Sequence, residues 1–398
     1  MNVEWLIIGG GIHGVHIAAR LIGDADLDPD RIRIIDPNSR LLERWRTFTS
    51  RTGMTHLRSP AVHHLDRSVW SLQQFAGKRG RRKLSAFAAP YDRPSLSLFN
   101  AHCDKVIETY GIDSIHVKDR AETVTVNCVG ARVQLSSGSQ VQAKNVVLAM
   151  GMSEQPAWPD WAPRGHGRVH HIFEPMFPGE ASARETVAIV GAGISACQLA
   201  LRLIKERHQV HLVSRHDLKE HQFDSDPGWL GPRYMTAFNL ESDPDRRRGL
   251  IAKARHRGSV PPDVLRAVRR AIRRKQLVWH DGNVEACKSV DESGLEIALT
   301  TRKTIMLDRL YLATGYANHR PGGEMIRALI ASASLPCAKC GYPIVDSALR
   351  WHPHIFVSGP LAELELGPVA RNISGARRAA DRLVNWVHSQ TVDLKRAS

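Results

Sequence analysis

Aromatic residues are scarce, at 6% of a 398-residue chain, and there are only six cysteines. So few cysteines in so long a chain exclude a disulfide-stapled scaffold. No run of about 18 apolar residues occurs, so no membrane-spanning helix is expected. No secretory leader is expected either. The start carries no basic region, Glu4 comes early, and the first apolar run ends in Gly9-Gly10-Gly11. A cytoplasmic protein is the expectation. Acid is also in deficit, with 40 Asp+Glu against 55 Lys+Arg, a formal +15. The 42% hydrophobic and 24% charged residues are nevertheless those of a globular chain, not a disordered or collagen-like one. The length suggests two or so domains, with ample core for both.

The basic excess is local. Residues 78–83 (Lys-Arg-Gly-Arg-Arg-Lys) carry five basic side chains, and residues 245–275 carry twelve against two acids. Together these two segments account for the whole +15. Within the second, Pro262–Lys275 reads as an amphipathic helix. Val264, Val268 and Ile272 recur on one face with Leu265 and Ala271; Arg266, Arg269, Arg270, Arg273 and Arg274 fill the other. That face is either solvated or meets an anionic ligand or partner.

The chain twice runs strand, glycine turn, helix, strand. Val3–Ile8 reads as a buried strand, about Ile12–Ile22 as a helix, and Arg31–Ile35 as a strand ending at Asp36. Helix Ser95–Tyr110, a hairpin at 124–135 and strand Asn145–Ala149 follow. The Pro/Trp-rich stretch 156–163 suits a domain crossing. Val187–Val190, Ile194–Glu206 and Gln209–Val213 then restart the pattern. Later strands are read at 277–280, 284–290, 295–300, 305–307 and 355–357, and a last helix at 369–388.

The first turn, Gly9-Gly10-Gly11-Ile12-His13-Gly14, fits Gly-x-Gly-x-x-Gly. Gly9 permits the tight turn, Gly11 lets a pyrophosphate approach the backbone, and Gly14 lets helix and strand pack closely. The helix N-terminus adds free N–H groups and partial positive charge. Asp36 lies 22 residues beyond Gly14, where a carboxylate accepts ribose hydroxyls. The second turn, Gly191-Ala192-Gly193-Ile194-Ser195-Ala196, has the allowed Ala196 in third place. Its second strand ends in Ser214-Arg215 rather than an acid. A carboxylate would repel a 2′-phosphate, whereas Ser214 and Arg215 would hold one, so NADPH is expected over NADH.

Two dinucleotide turns in one chain imply a flavin exchanging a hydride with a nicotinamide. On these turns the chain resembles the NAD(P)H-dependent flavoproteins with paired dinucleotide domains. Asn145–Gly151 and the Ala313-Thr314-Gly315 segment are similar to the strands on which that group passes between its domains. Asp308-x-x-x-Leu312-Ala-Thr-Gly-Tyr316-x-x-x-x-Pro321 resembles the signature of the lysine and ornithine N-hydroxylating monooxygenases. Glu43-Arg-Trp45 and Gly53–Pro60 resemble their flavin-lining segment, and Gly167-Arg-Val-His-His171 their linker motif. The chain departs from that group in the first turn, where its members usually carry Gly-Pro and this chain has Gly11-Ile12-His13.

The resemblance implies an α/β fold of two Rossmann-like domains. An FAD-binding domain would span 1–160 and 308–398, with an NADPH-binding domain inserted at 161–307. It implies FAD and NADPH as cofactors, molecular oxygen and a small molecule as reactants, and oxygenation of a nucleophilic heteroatom, most simply an amine, through a C4a-hydroperoxyflavin. An NAD(P)H-dependent reductase of the same fold is the alternative. The implied cofactor contacts are Gly9, Gly11, Gly14, Asp36, Trp45, Gly151, Gly191, Gly193, Ala196, Ser214, Arg215, Thr314, Gly315, Gly359 and Gly367. Arg58, His56 and Asn318 are the candidates for the flavin or substrate face. Leu366-Gly367-Pro368 reads as the opening of the last helix, aimed at the flavin or simply part of the core. Cys337-x-x-Cys340 is read as a turn at Gly341-Tyr342-Pro343, with half a zinc site or a redox dithiol as alternatives and no metal expected. Nucleic acid is an unlikely partner because aromatics are not interleaved with the basic residues. A homo-oligomer is compatible with the fold type.

Overall fold

The apolar runs form two sheets, one mixed with a parallel centre and one parallel throughout. These are seen in a computed structural model that describes residues 1–81, 86–175, 177, 184–290 and 294–397, the side chains of 78–81 and 391–397 excepted. In the first sheet the order is Arg350–His352, Ile355–Val357, Gln140–Leu148, Asn2–Ile8, Ile32–Asp36, His116–Lys118. Asn2–Ile8 pairs in parallel with both neighbours. Ala121–Val126 and Ala131–Leu135 form the expected hairpin and add antiparallel to Gln140–Leu148. Trp5 and Ile7 face one apolar cluster, Leu6 and Ile8 the other. Burial on both faces is why this strand reads as an unbroken apolar run.

The second sheet runs Leu277–Asp281, Gln209–Ser214, Thr186–Val190, Arg309–Leu312, Val169–His171, all parallel. A three-stranded antiparallel meander, Val284–Val290, Gly294–Leu299 and Thr304–Leu307, packs its apolar side chains against it. The expected return of the chain to the first half at 308 needs correcting. Arg309–Leu312 pairs with Thr186–Val190, and Leu310, Tyr311 and Leu312 are buried in the second sheet, so the chain leaves that sheet only after Leu312.

The last helix also starts later than its sequence suggests. Gly367, at φ 76°, ends the short helix Glu363–Leu366, and the long helix is Ile373–Ala397. Pro368 therefore lies in a turn, closed by Ala370 N–H donating to Gly367 O at 3.1 Å. No described helix is long and apolar enough to cross a membrane.

Between Gln209–Ser214 and Leu277–Asp281 a Rossmann crossover needs one helix, here Pro262–Arg273. The chain first makes an excursion through Pro232–Leu240 and Pro244–Ala254. That excursion reaches across to the first half of the molecule.

Candidate active site

The two glycine turns end the strands Asn2–Ile8 and Thr186–Val190 and open the helices Ile12–Gly23 and Ile194–Lys205. Each glycine of the first turn has a physical reason. Gly9 has φ 113°, and a Cβ there would lie 2.8 Å from Ala149 O. A Cβ on Gly14 would lie 1.8 Å from Gly9 O, so helix and strand touch backbone to backbone. A Cβ on Gly11 would meet nothing within 4 Å. The space over Gly11 is the room a pyrophosphate requires, at the N-terminus of a helix with no side-chain cap. The residues present thus fit FAD. Asp36 ends the second strand, buried; Oδ2 accepts from Gly10 N–H at 2.7 Å and Oδ1 from the Asn38 N–H at 2.9 Å. The carboxylate is thereby fixed beside the turn.

The second turn repeats the plan. Gly191 has φ 140°, and its Cβ would lie 2.5 Å from Ala313 O. Ala196, in third place, is fully buried. Over Gly193 the nearest atom is Gly258 Cα, 3.7 Å from where a Cβ would be. Ser214 is buried and its hydroxyl donates to His216 O, while Arg215 is exposed. The exposed cation beside the strand end suits a 2′-phosphate.

His13 locks the first turn to the C-terminal segment. Its Nδ1 is 2.8 Å from Ser358 Oγ, and its ring lies 3.7 Å from the position of a Cβ on Gly359. Burial pushes the imidazole down to about 4, against the opposing pull of hydrogen bonds to the backbone of Arg371 and Asn372. A neutral ring therefore knots the turn, the Ser358-Gly359 corner and the entry to the last helix.

Several expected site residues hold structure. Arg58 Nε donates to Gln222 O at 2.7 Å, and its Nη2 to His221 O and Ser259 Oγ, each at 2.8 Å. Burial lowers this guanidinium to about 10. Arg58 thus straps the first half to the excursion rather than presenting all its donors to a substrate. His56 pairs by its backbone with Ser95. Asn318 is exposed and accepts from Arg257 Nη2 at 3.1 Å. Trp45 donates Nε1–H to Asn100 Oδ1 at 3.1 Å and packs against Phe99. The Thr314 hydroxyl donates to Ala157 O at 2.6 Å and sits 3.1 Å from Nε2 of the buried His171. It latches the linker to the Ala-Thr-Gly segment. Gly151 and Gly315 border open space, and a Cβ on Gly367 would lie 3.3 Å from Met235 Sδ of the excursion.

The excursion also explains part of the basic excess. Glu363 is fully buried and accepts from Arg371 at 2.7 Å, Arg248 at 2.9 Å and Arg255 at 3.1 Å. Arg247 pairs with Glu365 at 2.9 Å, and Asn372 Nδ2 donates to Asp224 at 3.0 Å. Arginines of the excursion thus clamp it onto the C-terminal segment. Sequence reasoning missed Glu363. Its one visible signal is a carboxylate amid the apolar residues 359–370.

The exposed Arg face of Pro262–Arg273 lies apart from these clamps. That helix begins beside Gly258, near the second turn, and returns the chain to the opposite end of the sheet, where Leu277 pairs with Val210. At about 1.5 Å per residue, Arg273 lies roughly 15 Å further along the axis than Asp263. Replacing Arg269, Arg270, Arg273 and Arg274 by Gln should leave the NADPH KM and its salt dependence unchanged in steady-state kinetics. The basic run at 78–83 lies outside the described side chains. Cys337–Tyr342 is a tight turn: Gly341 N–H donates to Ala338 O at 2.8 Å, and Gly341 has φ 78°. No group of three or more His, Cys, Asp or Glu side chains able to hold a metal occurs among the described residues.

Two Rossmann-like halves, one turn followed by an acid and the other by Ser-Arg, define a flavoprotein with paired dinucleotide sites. Residues 6–153 match an FAD-NAD(P)-binding family, and residues 102–318 match the L-lysine 6-monooxygenase/L-ornithine 5-monooxygenase family. The chain belongs to the latter family, which covers more than half of it. No curated protein sequence matches significantly. Among solved structures, an ornithine N-hydroxylase from Kutzneria sp. 744, described with reduced FAD, NADP+ and L-ornithine, superposes with TM-score 0.77 at 15% identity, over 98% of this chain and 100% of that one. The ornithine hydroxylase of Pseudomonas aeruginosa gives 0.76 at 16%, over 98% and 99%. A bacillithiol disulfide reductase from Bacillus cereus gives 0.64 at 17%, over 98% and 100%. Monooxygenase and reductase share the fold, so the fold alone does not choose between them. The family match does, in favour of the monooxygenases.

Proposed function

We propose that the chain is an FAD-dependent, NADPH-using monooxygenase that hydroxylates a primary amine of the ornithine or lysine type. The observation that carries this reading is the pair of unlike cradles in a chain of this family: Gly9–Gly14 with Asp36, and Gly191–Ala196 with Ser214 and Arg215. The balanced reaction is R-NH2 + NADPH + H+ + O2 giving R-NHOH + NADP+ + H2O.

Bound flavin would supply hydride acceptance and oxygen activation. The chain supplies the rest. Gly11 and the first helix N-terminus hold the flavin nucleotide's pyrophosphate, and Asp36 orients its ribose. Gly193 and the second helix N-terminus take that of NADPH, and Arg215 its 2′-phosphate. The excursion is held to the C-terminal segment by Glu363 and to the first half by Arg58. Dependence on NADPH suits a cytoplasmic setting, and molecular oxygen is the second reactant.

The test is turnover of the FAD-loaded protein with NADPH and a panel including L-ornithine, L-lysine and simple diamines, with product mass as readout. A hydroxylamine from one or more of these supports the reading. NADPH oxidation without any hydroxylated amine counts against it. Arg215→Glu should raise the NADPH KM by roughly ten- to a hundred-fold by placing a carboxylate against the 2′-phosphate, with the NADH KM unchanged.

A further inference from the structure

Arg93 is one of the largest fully buried side chains, at 2% exposure, and it belongs to the first half of the molecule. It sits on the short strand Arg93–Pro94, paired with Phe87–Ala88. Its guanidinium reaches the other half: Nη2 donates to Asp263 Oδ2 at 2.8 Å, with a long 3.4 Å contact to Ala89 O. The pair is poorly satisfied. Arg93 Nε and Asp263 Oδ1 are both buried without a hydrogen-bond partner. Burial would raise the Asp263 carboxyl, but the hydrogen bond and charge of Arg93, together with the backbone N–H groups of Val264 and Asp263, leave it lowered.

As a stability device this is a bad choice. Arg93 is buried while the Asp263 side chain is 38% exposed, and such a half-buried pair with unfilled donors and acceptors adds little net stability. What such a pair does supply is register, because only one alignment of the two elements joins the charges. The location gives register a purpose. Asp263 is in the first turn of the helix Pro262–Arg273, five residues after Gly258, which lies over Gly193 of the second cradle. Ser259, between them, is the residue that Arg58 of the first half also holds. Two arginines of the flavin half thus grip residues 259–263, the segment bordering the nicotinamide-nucleotide cradle. Tyr91, on the same hairpin as Arg93, packs its ring at a tilt against Phe223 of the excursion, centroids 5.0 Å apart.

We propose that Arg93, through Asp263, is a positioning residue that sets the Gly258–Asp263 wall of the second cradle and so determines how tightly NADPH is held. This rests on the reading that Gly191–Ala196 binds NADPH. Arg93 touches no reacting atom. It acts through the wall, and its loss would appear in nucleotide affinity rather than in folding.

The experiment compares FAD-loaded wild type, the apolar pair Arg93→Leu/Asp263→Leu, and the charge swap Arg93→Asp/Asp263→Arg. NADP+ affinity is measured by calorimetric titration, NADPH KM and kcat by kinetics, and Tm by thermal melting. The apolar pair should keep or raise Tm yet weaken NADP+ binding by about tenfold, the loss of about 1.4 kcal/mol of contact with the displaced wall. KM for NADPH should rise while kcat at saturating NADPH stays close to wild type. The charge swap should recover part of the lost affinity. Unchanged NADP+ affinity in the apolar pair overturns the proposal. So does a fall in Tm that accompanies the affinity loss, since the pair would then be a stability element. Failure of wild type to bind NADP+ would sink the underlying NADPH reading instead.

Discussion

Gly11→Ala yields a stably folded protein that has lost FAD, whereas Gly14→Ala yields one that melts well below wild type. The two glycines sit three residues apart in one turn, but their surroundings are opposite. A Cβ on Gly11 meets no atom within 4 Å, so the alanine fits the protein. It fills the space that the pyrophosphate needs, and FAD affinity should fall by about a hundredfold or more through loss of the backbone contacts. A Cβ on Gly14 would lie 1.8 Å from Gly9 O and 3.0 Å from Gly9 C. Both are backbone atoms and cannot swing aside. The helix must then move off the strand, at a cost of about 3 kcal/mol or more. Thermal melting of the apoproteins with flavin fluorescence titration separates the two outcomes. Equal melting temperatures for the two variants would show that Gly14 is not at a backbone contact.

Glu363→Gln is expected to destabilise the protein by about 3–5 kcal/mol in urea denaturation at neutral pH, because it leaves buried guanidinium groups without their counter-charge. Arg371, Arg255 and Arg248 all donate to this one carboxylate. Burial alone would raise Glu363, and the three arginines reverse that and hold it below the ordinary glutamate value. The sign of the pH dependence follows. A carboxyl lowered in the folded state adds stability above its unfolded pKa of about 4.3, and that stability is lost as pH falls through the lower folded value. Wild type should therefore lose more stability on the acid limb below about pH 4.3 than Glu363→Gln does, by the share that Glu363 contributes. A Gln variant as stable as wild type with the same acid limb would mean that the clamp is not electrostatic.

Both nucleotide turns were legible because their signal is local: strand, glycines and helix lie within a dozen or so residues, and each glycine has a backbone reason. The strands flanking them were legible too, since burial on both faces leaves an apolar run. Arg309–Leu312 shows the limit. Its sequence is a good buried strand, but which sheet it joins depends on Thr186–Val190, far away in the chain. The start of the last helix failed for a related reason. Pro368 is well suited to a first helical turn, yet Gly367 takes a left-handed conformation that closes a turn instead. Arg58 was visible as a residue of the flavin-lining segment, but its partners are carbonyls of Gln222 and His221 that no local pattern links to it. Glu363 and Arg93 were illegible for the same reason: each depends on partners distant in the chain, Arg248 and Arg255 for Glu363 and Asp263 for Arg93. The net charge sharpened in the same way. In sequence the 245–275 segment is one basic block. In the structure Arg247, Arg248 and Arg255 clamp the excursion, while Arg266–Arg274 form an exposed face whose far end lies away from the cradle.

Oxygen transfer to an amine is the central claim, and labelled dioxygen tests it most directly. The FAD-loaded protein, turned over with NADPH and L-ornithine or L-lysine under labelled dioxygen, should give a hydroxylamine carrying one labelled oxygen atom, with NADPH consumed in equal amount. NADPH oxidation at full rate with no label in any amine product would contradict the account and return the chain to the reductases that share its fold.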